Sequence, residues 1–238
     1  AFIAACASTP KPAAAPAPAG KPDPRVGLKG GLMDAGEAVS NLKVVAKAVS
    51  PPGFLGITNS DLAFTGNYVI QGNYNGPVIW DISNPARPQL VTAYSCPASQ
   101  NDVSVYKNLM FMSSEGTASR LDCKPGGIQA PVSNERMRGV RIFDISDIKN
   151  PKQIGRLDMS PPFDAGIPVH TAYPMLERKL AFINAEPLYQ DCNEAMTPPF
   201  VVDIRYEQNP VPIAAFPLPK PPAEAPYNDF CFRAYRFG

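Results

Sequence analysis

NSDLAFTGNYVIQGNYNGPVIWDISNPARPQLVTAY, residues 59–94, decides how this chain is read. Three apolar runs, Tyr68-Val69-Ile70, Val78-Ile79-Trp80 and Leu90-Val91, are cut by Gly, Asn and Pro. Runs this short, bounded by turn residues, read as strands rather than helices. Gly66-Asn67 is a two-residue hairpin turn, and Asn73-Tyr74-Asn75-Gly76 is another. With Asp61-Leu62-Ala63-Phe64 as the first strand, the stretch predicts four strands in one small antiparallel sheet.

The plan recurs twice. The second unit opens on Asp102-Val103-Ser104-Val105, turns at Lys107-Asn108 and continues through Leu109-Met110-Phe111-Met112-Ser113. After an insertion at about 115–138 it resumes with Gly139-Val140-Arg141-Ile142-Phe143-Asp144-Ile145-Ser146. The third unit opens on His170-Thr171-Ala172-Tyr173, carries an insertion containing Cys192, and resumes with Phe200-Val201-Val202-Asp203-Ile204. Asp81, Asp144 and Asp203 are the landmarks of the three units. They lie farther apart than the ~40–50 residues of a plain four-stranded propeller blade, because the later units carry insertions. The expected fold is all-β, a β-propeller of four-stranded antiparallel blades at about 59–95, 100–160 and 168–216, followed by a Pro-rich C-terminal segment. Radial closure takes about 4–8 blades, so three imply an incomplete ring, or a ring whose other blades come from another chain.

In Asp-x-Ser the two side chains can bond the backbone amides just ahead and lock the turn after the third strand, and the Pro that follows ends pairing. Asp81, Ser83, Asp144, Ser146 and Asp203 are therefore read as structural turn residues rather than catalytic ones.

The chain has 238 residues, a net charge of +1 and 18% charged residues. Such a balance provides no electrostatic footprint for nucleic acid. No apolar run reaches the ~18 residues of a membrane span. None of the five cysteines forms a C-x-x-C pair, which argues against zinc ribbons and thioredoxin-type sites. Cys96, Cys123, Cys192 and Cys231 allow three pairings. Cys96–Cys123 and Cys192–Cys231 are favoured because each pair flanks one irregular insertion, and the alternative is free thiols in a reducing compartment.

Ile3-Ala4-Ala5-Cys6 resembles a bacterial lipobox, with Cys6 as the lipidated residue, and TPKPAAAPAPAGKPDP follows as an extended Pro/Ala spacer. Residues 1–24 are thus an anchor and tether. Since only five residues precede Cys6, this reading requires a sequence that begins inside a longer leader; otherwise Cys6 is a plain thiol on a tail. Residues 25–58 form a strap leading into the body. Asp34 is placed to open a short helix over 35–39, weakened by Gly36, and Ser50-Pro51-Pro52-Gly53 ends the segment.

GPVIWDISNPARPQLV, GVRIFDISDIKNPKQIG and PFVVDIRYEQNPVPIA together resemble the LVIVD repeat. The third is the weakest, with Asp203-Ile204-Arg205 in place of Asp-Ile-Ser. The resemblance runs from about residue 23 to 238. It implies a β-propeller of bacterial and archaeal cell-surface proteins and no particular reaction.

P-loop, G-x-G-x-x-G, G-x-S-x-G and H-E-x-x-H motifs are absent from the sequence. The single histidine, His170, stands with Asp61 and Asp102 at the start of the three first strands. Their convergence at a channel mouth would make a divalent-metal site, and the competing reading is three strand caps. Glu115, Asp122 and Glu135 sit among Arg120, Arg136, Arg138 and Arg141, which reads as a solvated, salt-bridged loop. Tyr74, Trp80 and Tyr189 are the aromatic candidates for a binding surface, with Trp80 also a candidate for core between blades. The leading functional expectation is a non-enzymatic extracytoplasmic lipoprotein without a cofactor. It would be held at the outer membrane or cell surface by its lipid anchor, or be periplasmic or secreted, and would present loops to a protein or glycan partner. The alternatives are a metal-dependent propeller enzyme with its site at the channel mouth and a purely structural envelope protein.

Overall fold

The computed structural model describes residues 22–31, 34–159, 167–175, 177–186 and 198–217. Among them are twelve strands and no helix. The chain divides into two units, Ala1–Val44 and Val45–Gly238. In the first, the Val26 N–H donates to the Asp23 carbonyl at 3.1 Å, and Gly36 N–H donates to the Lys29 carbonyl at 2.7 Å. The helix expected over 35–39 does not form. The Asp34 carboxylate pairs with the Lys29 ammonium instead of capping a first turn, and the Gly36 amide is already engaged by a residue outside any helical register.

The second unit holds three four-stranded antiparallel sheets, each a simple up-and-down run. The first comprises β1 (Asn59–Thr65), β2 (Tyr68–Asn73), β3 (Val78–Asp81) and β4 (Gln89–Ala93). The second comprises β5 (Val103–Tyr106), β6 (Leu109–Ser114), β7 (Gly139–Asp144) and β8 (Lys152–Asp158). The third comprises β9 (Val169–Met175), β10 (Leu180–Ala185), β11 (Phe200–Asp203) and β12 (Val211–Ala215). They stack face to face in chain order as propeller-type blades in an unclosed ring.

The two-residue period of a strand explains why the middle sheet has apolar side chains on both of its faces. Met110, Met112 and Phe143 point one way and meet Ala63, Ile70 and Ile79 of the first sheet. Leu109, Phe111, Val140 and Ile142 point the other way and meet Val169, Ala172, Ala181, Ile183 and Val202 of the third. Outward faces of the flanking sheets keep Leu62, Phe64 and Tyr173 exposed. Trp80 is buried, but not between blades: it packs with Val78 against Phe54 from the preceding segment, and its indole N–H donates to Gln71 Oε1 at 3.2 Å.

Every sheet bends at one equivalent place. A β-bulge interrupts the third-to-fourth strand pairing between Ile79 and Trp80, between Ile142 and Phe143, and between Val201 and Val202. The extra residue on the fourth strand sharpens the local twist. Glycines with positive φ stand at the start of the first two third strands, Gly76 (122°) just ahead of β3 and Gly139 (153°) as the first residue of β7. A Cβ there would lie 2.0 Å from the Tyr94 carbonyl oxygen and 1.9 Å from that of Leu157, respectively. Gly139→Ala is expected to cost at least about 1–3 kcal/mol, the cost of a disallowed φ, since the clash with rigid backbone adds to it. Urea unfolding at constant m-value measures this; a shift within experimental error would sink the close-approach argument.

The turns after the third strands are tied by side chains. Asp81 Oδ1 accepts from Ser83 N–H (2.8 Å) and its hydroxyl (2.6 Å). Asp144 Oδ1 accepts from Ser146 N–H (2.8 Å) and its hydroxyl (2.7 Å), with Asn108 Nδ2 adding a third bond at 3.2 Å. In the third sheet, the Arg205 amide donates to Asp203 Oδ1 at 2.9 Å and its guanidinium replaces the missing serine hydroxyl. These side-chain bonds, then the amide bonds, hold all three carboxyls below the ordinary aspartate value of 3.8. A depressed folded-state pKa stabilises the fold fully above the unfolded value, and the contribution is lost as pH falls through the folded value. A triple Asp→Asn variant keeps an acceptor but cannot titrate there. The stability gap between wild type and this variant is therefore expected to narrow below about pH 4, as read by urea unfolding at several pH values. A gap independent of pH would contradict it.

Candidate functional site

At the rim where first strands begin and second strands end, the backbone turns acidic side chains inward. Asp61 lies in a bulge of β1, between the pairs Asn59↔Asn73 and Leu62↔Gln71. Asp102 immediately precedes β5 and follows Asn101, which adopts φ 52°. His170 is the unpaired residue of a bulge in β9, between Val169↔Ala185 and Thr171↔Asn184. Bulges re-aim side chains in this way. The residue after each second strand is equivalent in all three sheets: Tyr74, Glu115 and Glu186. Each donates its N–H back to the segment ahead of the first strand, to Thr58 (3.0 Å), Ala98 (3.2 Å) and Pro168 (3.1 Å) carbonyls.

These side chains converge. His170 Nδ1 lies 3.0 Å from Asp102 Oδ2 and 2.8 Å from Thr171 Oγ1, and the Thr171 hydroxyl donates to the same Asp102 oxygen at 3.1 Å. On the other side of the ring, His170 Nε2 lies 3.5 Å from Glu186 Oε1. Glu115, His170 and Glu186 offer ligand atoms all within 4.8 Å of one another. Asp102, Glu115, His170 and Glu186 are 8%, 1%, 4% and 9% exposed, so the group is enclosed by protein. Ser99 Oγ donates to Glu115 Oε2 at 3.3 Å.

Charge and burial oppose each other here. Burial pushes the Glu115 carboxyl up to about 7, with Glu186 and Asp102 adding and His170 and Ser99 opposing. Burial lowers His170, but the carboxylates of Asp102, Glu186 and Glu115 outweigh it and raise its pKa above 6.5. Asp61 is raised by burial and by Asp102, against the Leu62 amide and His170. The half-buried Tyr74 phenol is raised by burial and then by Glu115, Asp102 and Glu186. Carboxylates surrounding one imidazole behind a low-dielectric wall favour any cation that can reach them.

The residues proposed from sequence as metal ligands divide. Asp102 and His170 touch; Asp61 is near enough for each to shift its carboxyl. The register also moves His170. The β9–β10 connection is longer than the other two hairpin turns, so Thr171, paired with Asn184, holds the place in its sheet that Asp61 and Asp102 hold in theirs, and the bulge brings His170 into the ring. Glu115 and Glu186 join the site without being among the residues the sequence points to; their one signal there is a shared position, one residue past each second strand.

The solvated, salt-bridged loop expected around Glu115 is correct only at its edge. Arg120 pairs with Asp122 (2.8 Å) and Glu135 (2.9 Å), and Lys124 with Asp122 (3.2 Å). Glu115, Arg136, Arg138 and Arg141 are instead buried. Irregular backbone has carbonyls without sheet partners, and these guanidinium groups satisfy them. Arg136 donates to Thr117 (2.8 Å) and Ala130 (2.6 Å), and Arg138 to Glu115 (3.0 Å). Arg141 donates to Leu121 (3.2 Å) and Arg120. A disulfide, Cys96–Cys123, ties the insertion to the linker between the first two sheets. Beside it is a cavity of about 240 Å³ whose lining includes Pro97, Ser99, Gly116, Ser119, Lys124 and Gly127. The Ser119 hydroxyl is buried without a hydrogen-bond partner among the described residues. Cys6, Cys192, Cys231 and Tyr189 lie outside the described residues, and Asp81, Ser83, Asp144, Ser146 and Asp203 lie at the turns after the third strands.

Residues 58–96, the first sheet with its flanks, match the model of the LVIVD repeat. No curated protein sequence matches the chain. Among solved structures it is similar to the computationally designed Ika4 protein, at 15% identity and a TM-score of 0.42, over 71% of this chain and 78% of that one. It is also similar to the computationally designed Ika8 protein, at 14% identity and a TM-score of 0.39, over 66% of this chain and 36% of that one.

Proposed function

We propose that this protein is an extracytoplasmic binding module that presents the insertion of its second sheet to a protein or glycan partner. The observation that carries the reading is the construction of that insertion. It has little regular pairing of its own, yet buried arginines and a disulfide hold it on a rigid sheet. Binding loops are typically positioned this way by a scaffold. The cavity beside it falls below the ~300–1,000 Å³ of drug-sized sites, which suits a single side chain or sugar unit. The disulfide supports an oxidising compartment, and a lipid on Cys6 would hold the module at the envelope surface.

The test replaces residues 125–134 with a Gly/Ser linker, leaving Cys96, Cys123, Arg136 and Arg138 in place. Both proteins are then applied to a glycan array and to envelope proteins cross-linked in intact cells. Binding present in the wild type and lost in the variant is expected; unchanged binding would overturn the loop as the recognition surface. Intact-mass analysis of the mature N-terminus tests the anchor, and an unmodified Cys6 rules it out.

A further inference from the structure

We infer that Glu115, His170 and Glu186 form a binding site for one first-row divalent transition cation of the zinc class, bridging the second and third sheets. The inference does not depend on the insertion being a recognition surface.

Three observations carry it. The first is distance. Tetrahedral coordination at about 2.0–2.2 Å sets ligand atoms roughly 3.4 Å apart. His170 Nε2 and Glu186 Oε1 are already 3.5 Å apart, and one ligand atom from each of the three residues lies within 4.8 Å of the others.

The second is polar atoms aimed into the site. His170 Nε2 and Glu115 Oε1 are both buried and make no hydrogen bond to protein among the described residues. Buried polar atoms in native proteins nearly always have partners, and these two belong to side chains whose ligand atoms lie within 4.8 Å of each other.

The third is orientation. Asp102 Oδ2, 3.0 Å from His170 Nδ1, is itself held by the Thr171 hydroxyl. That carboxylate fixes the proton on Nδ1 and leaves the Nε2 lone pair directed at the site. A carboxylate behind the far nitrogen of a ligand histidine is the usual outer support of a zinc site. Asp102 is thus a positioning residue rather than a ligand, and the charge of Asp61 adds to the attraction.

The donor set identifies the cation class. Two carboxylate oxygens and an imidazole nitrogen suit zinc and its neighbours, whereas calcium and magnesium prefer oxygen alone. The remaining coordination position would belong to water or a ligand.

Since the chain has one histidine, one experiment addresses the site directly. The full chain, labelled with ¹⁵N-histidine and stripped with chelator, is titrated with Zn²⁺ and separately with Ca²⁺. One equivalent of Zn²⁺ is expected to shift the Nε2 resonance while Nδ1 stays protonated. Co²⁺ is expected to give visible d–d bands of four- or five-coordinate geometry. By calorimetry, Glu115→Gln and Glu186→Gln should each weaken Zn²⁺ binding by about tenfold or more, and Asp102→Asn by about 10–100-fold. The exposed Glu135→Gln should bind as wild type does. An Nε2 resonance unmoved by Zn²⁺, tighter binding of Ca²⁺ than of Zn²⁺, or wild-type affinity in both ligand variants would overturn the assignment. The resonance test needs no substitution, so a variant that fails to fold leaves the inference open to refutation.

Discussion

Phe143→Ala is expected to destabilise the protein by about 3–5 kcal/mol, the usual cost of emptying a fully buried aromatic site. Phe143 is 0% exposed. It packs edge-on against Tyr94, with ring centroids 5.3 Å apart at 75°, and joins the cluster that holds the first sheet on the second. Phe111, on the other face of the middle sheet, joins the cluster that holds the third, and Phe111→Ala should cost a similar amount. The two variants should differ in where they loosen the fold. Hydrogen exchange should rise chiefly in β1–β4 for Phe143→Ala and chiefly in β9–β12 for Phe111→Ala. Stacked sheets are roughly a sum of nearest-neighbour interfaces. The same exchange pattern in both variants would contradict two separable interfaces.

The Cys96→Ser, Cys123→Ser double variant should lose about 3.5 kcal/mol in the chain-entropy model, given the separation of 27 residues between the bonded cysteines. The consequence is local as well as global. Cys96 is fully buried in the cluster between the first two sheets, and the bond tethers the insertion to that cluster. Proteolysis should therefore cut the reduced wild type first within residues 115–138, before the strands. Urea unfolding with and without reductant, followed by limited proteolysis, measures both effects. A reduced protein with unchanged midpoint and cleavage pattern would show that the buried arginines suffice to hold the insertion.

Most of the sheet plan was legible in the sequence, because short apolar runs, Gly-Asn turns and the recurrent Asp-Ile-Ser record local constraints. Thr65 and Tyr68 pair around Gly66-Asn67 as the turn chemistry requires. The recurrent bulges of the fourth strands were not legible, since they add one residue to a strand without changing its composition. The candidate site was half legible. Counting units picks out Asp102 and His170, but in the sequence Glu115 is a charge on a loop of mixed sign, which implies solvation. Sequence neighbours suggested ion pairs with Arg136, Arg138 and Arg141, yet these arginines turn to backbone carbonyls that only the folded insertion brings within reach.

What the sequence determined by itself is the secondary structure and its repetition: strand lengths, turn positions and the aspartates that lock the third-strand turns, all set by interactions within a few residues. Tertiary structure alone decided which side chains meet. Bulges at Asp61 and His170 rotate those residues toward the rim, and stacking of the second sheet on the third sets Glu115 opposite Glu186, 71 residues apart in the chain. The physical reason is that a one-residue bulge reverses the direction of a side chain while leaving the apolar pattern intact, and such bulges form only where packed neighbours make room for them.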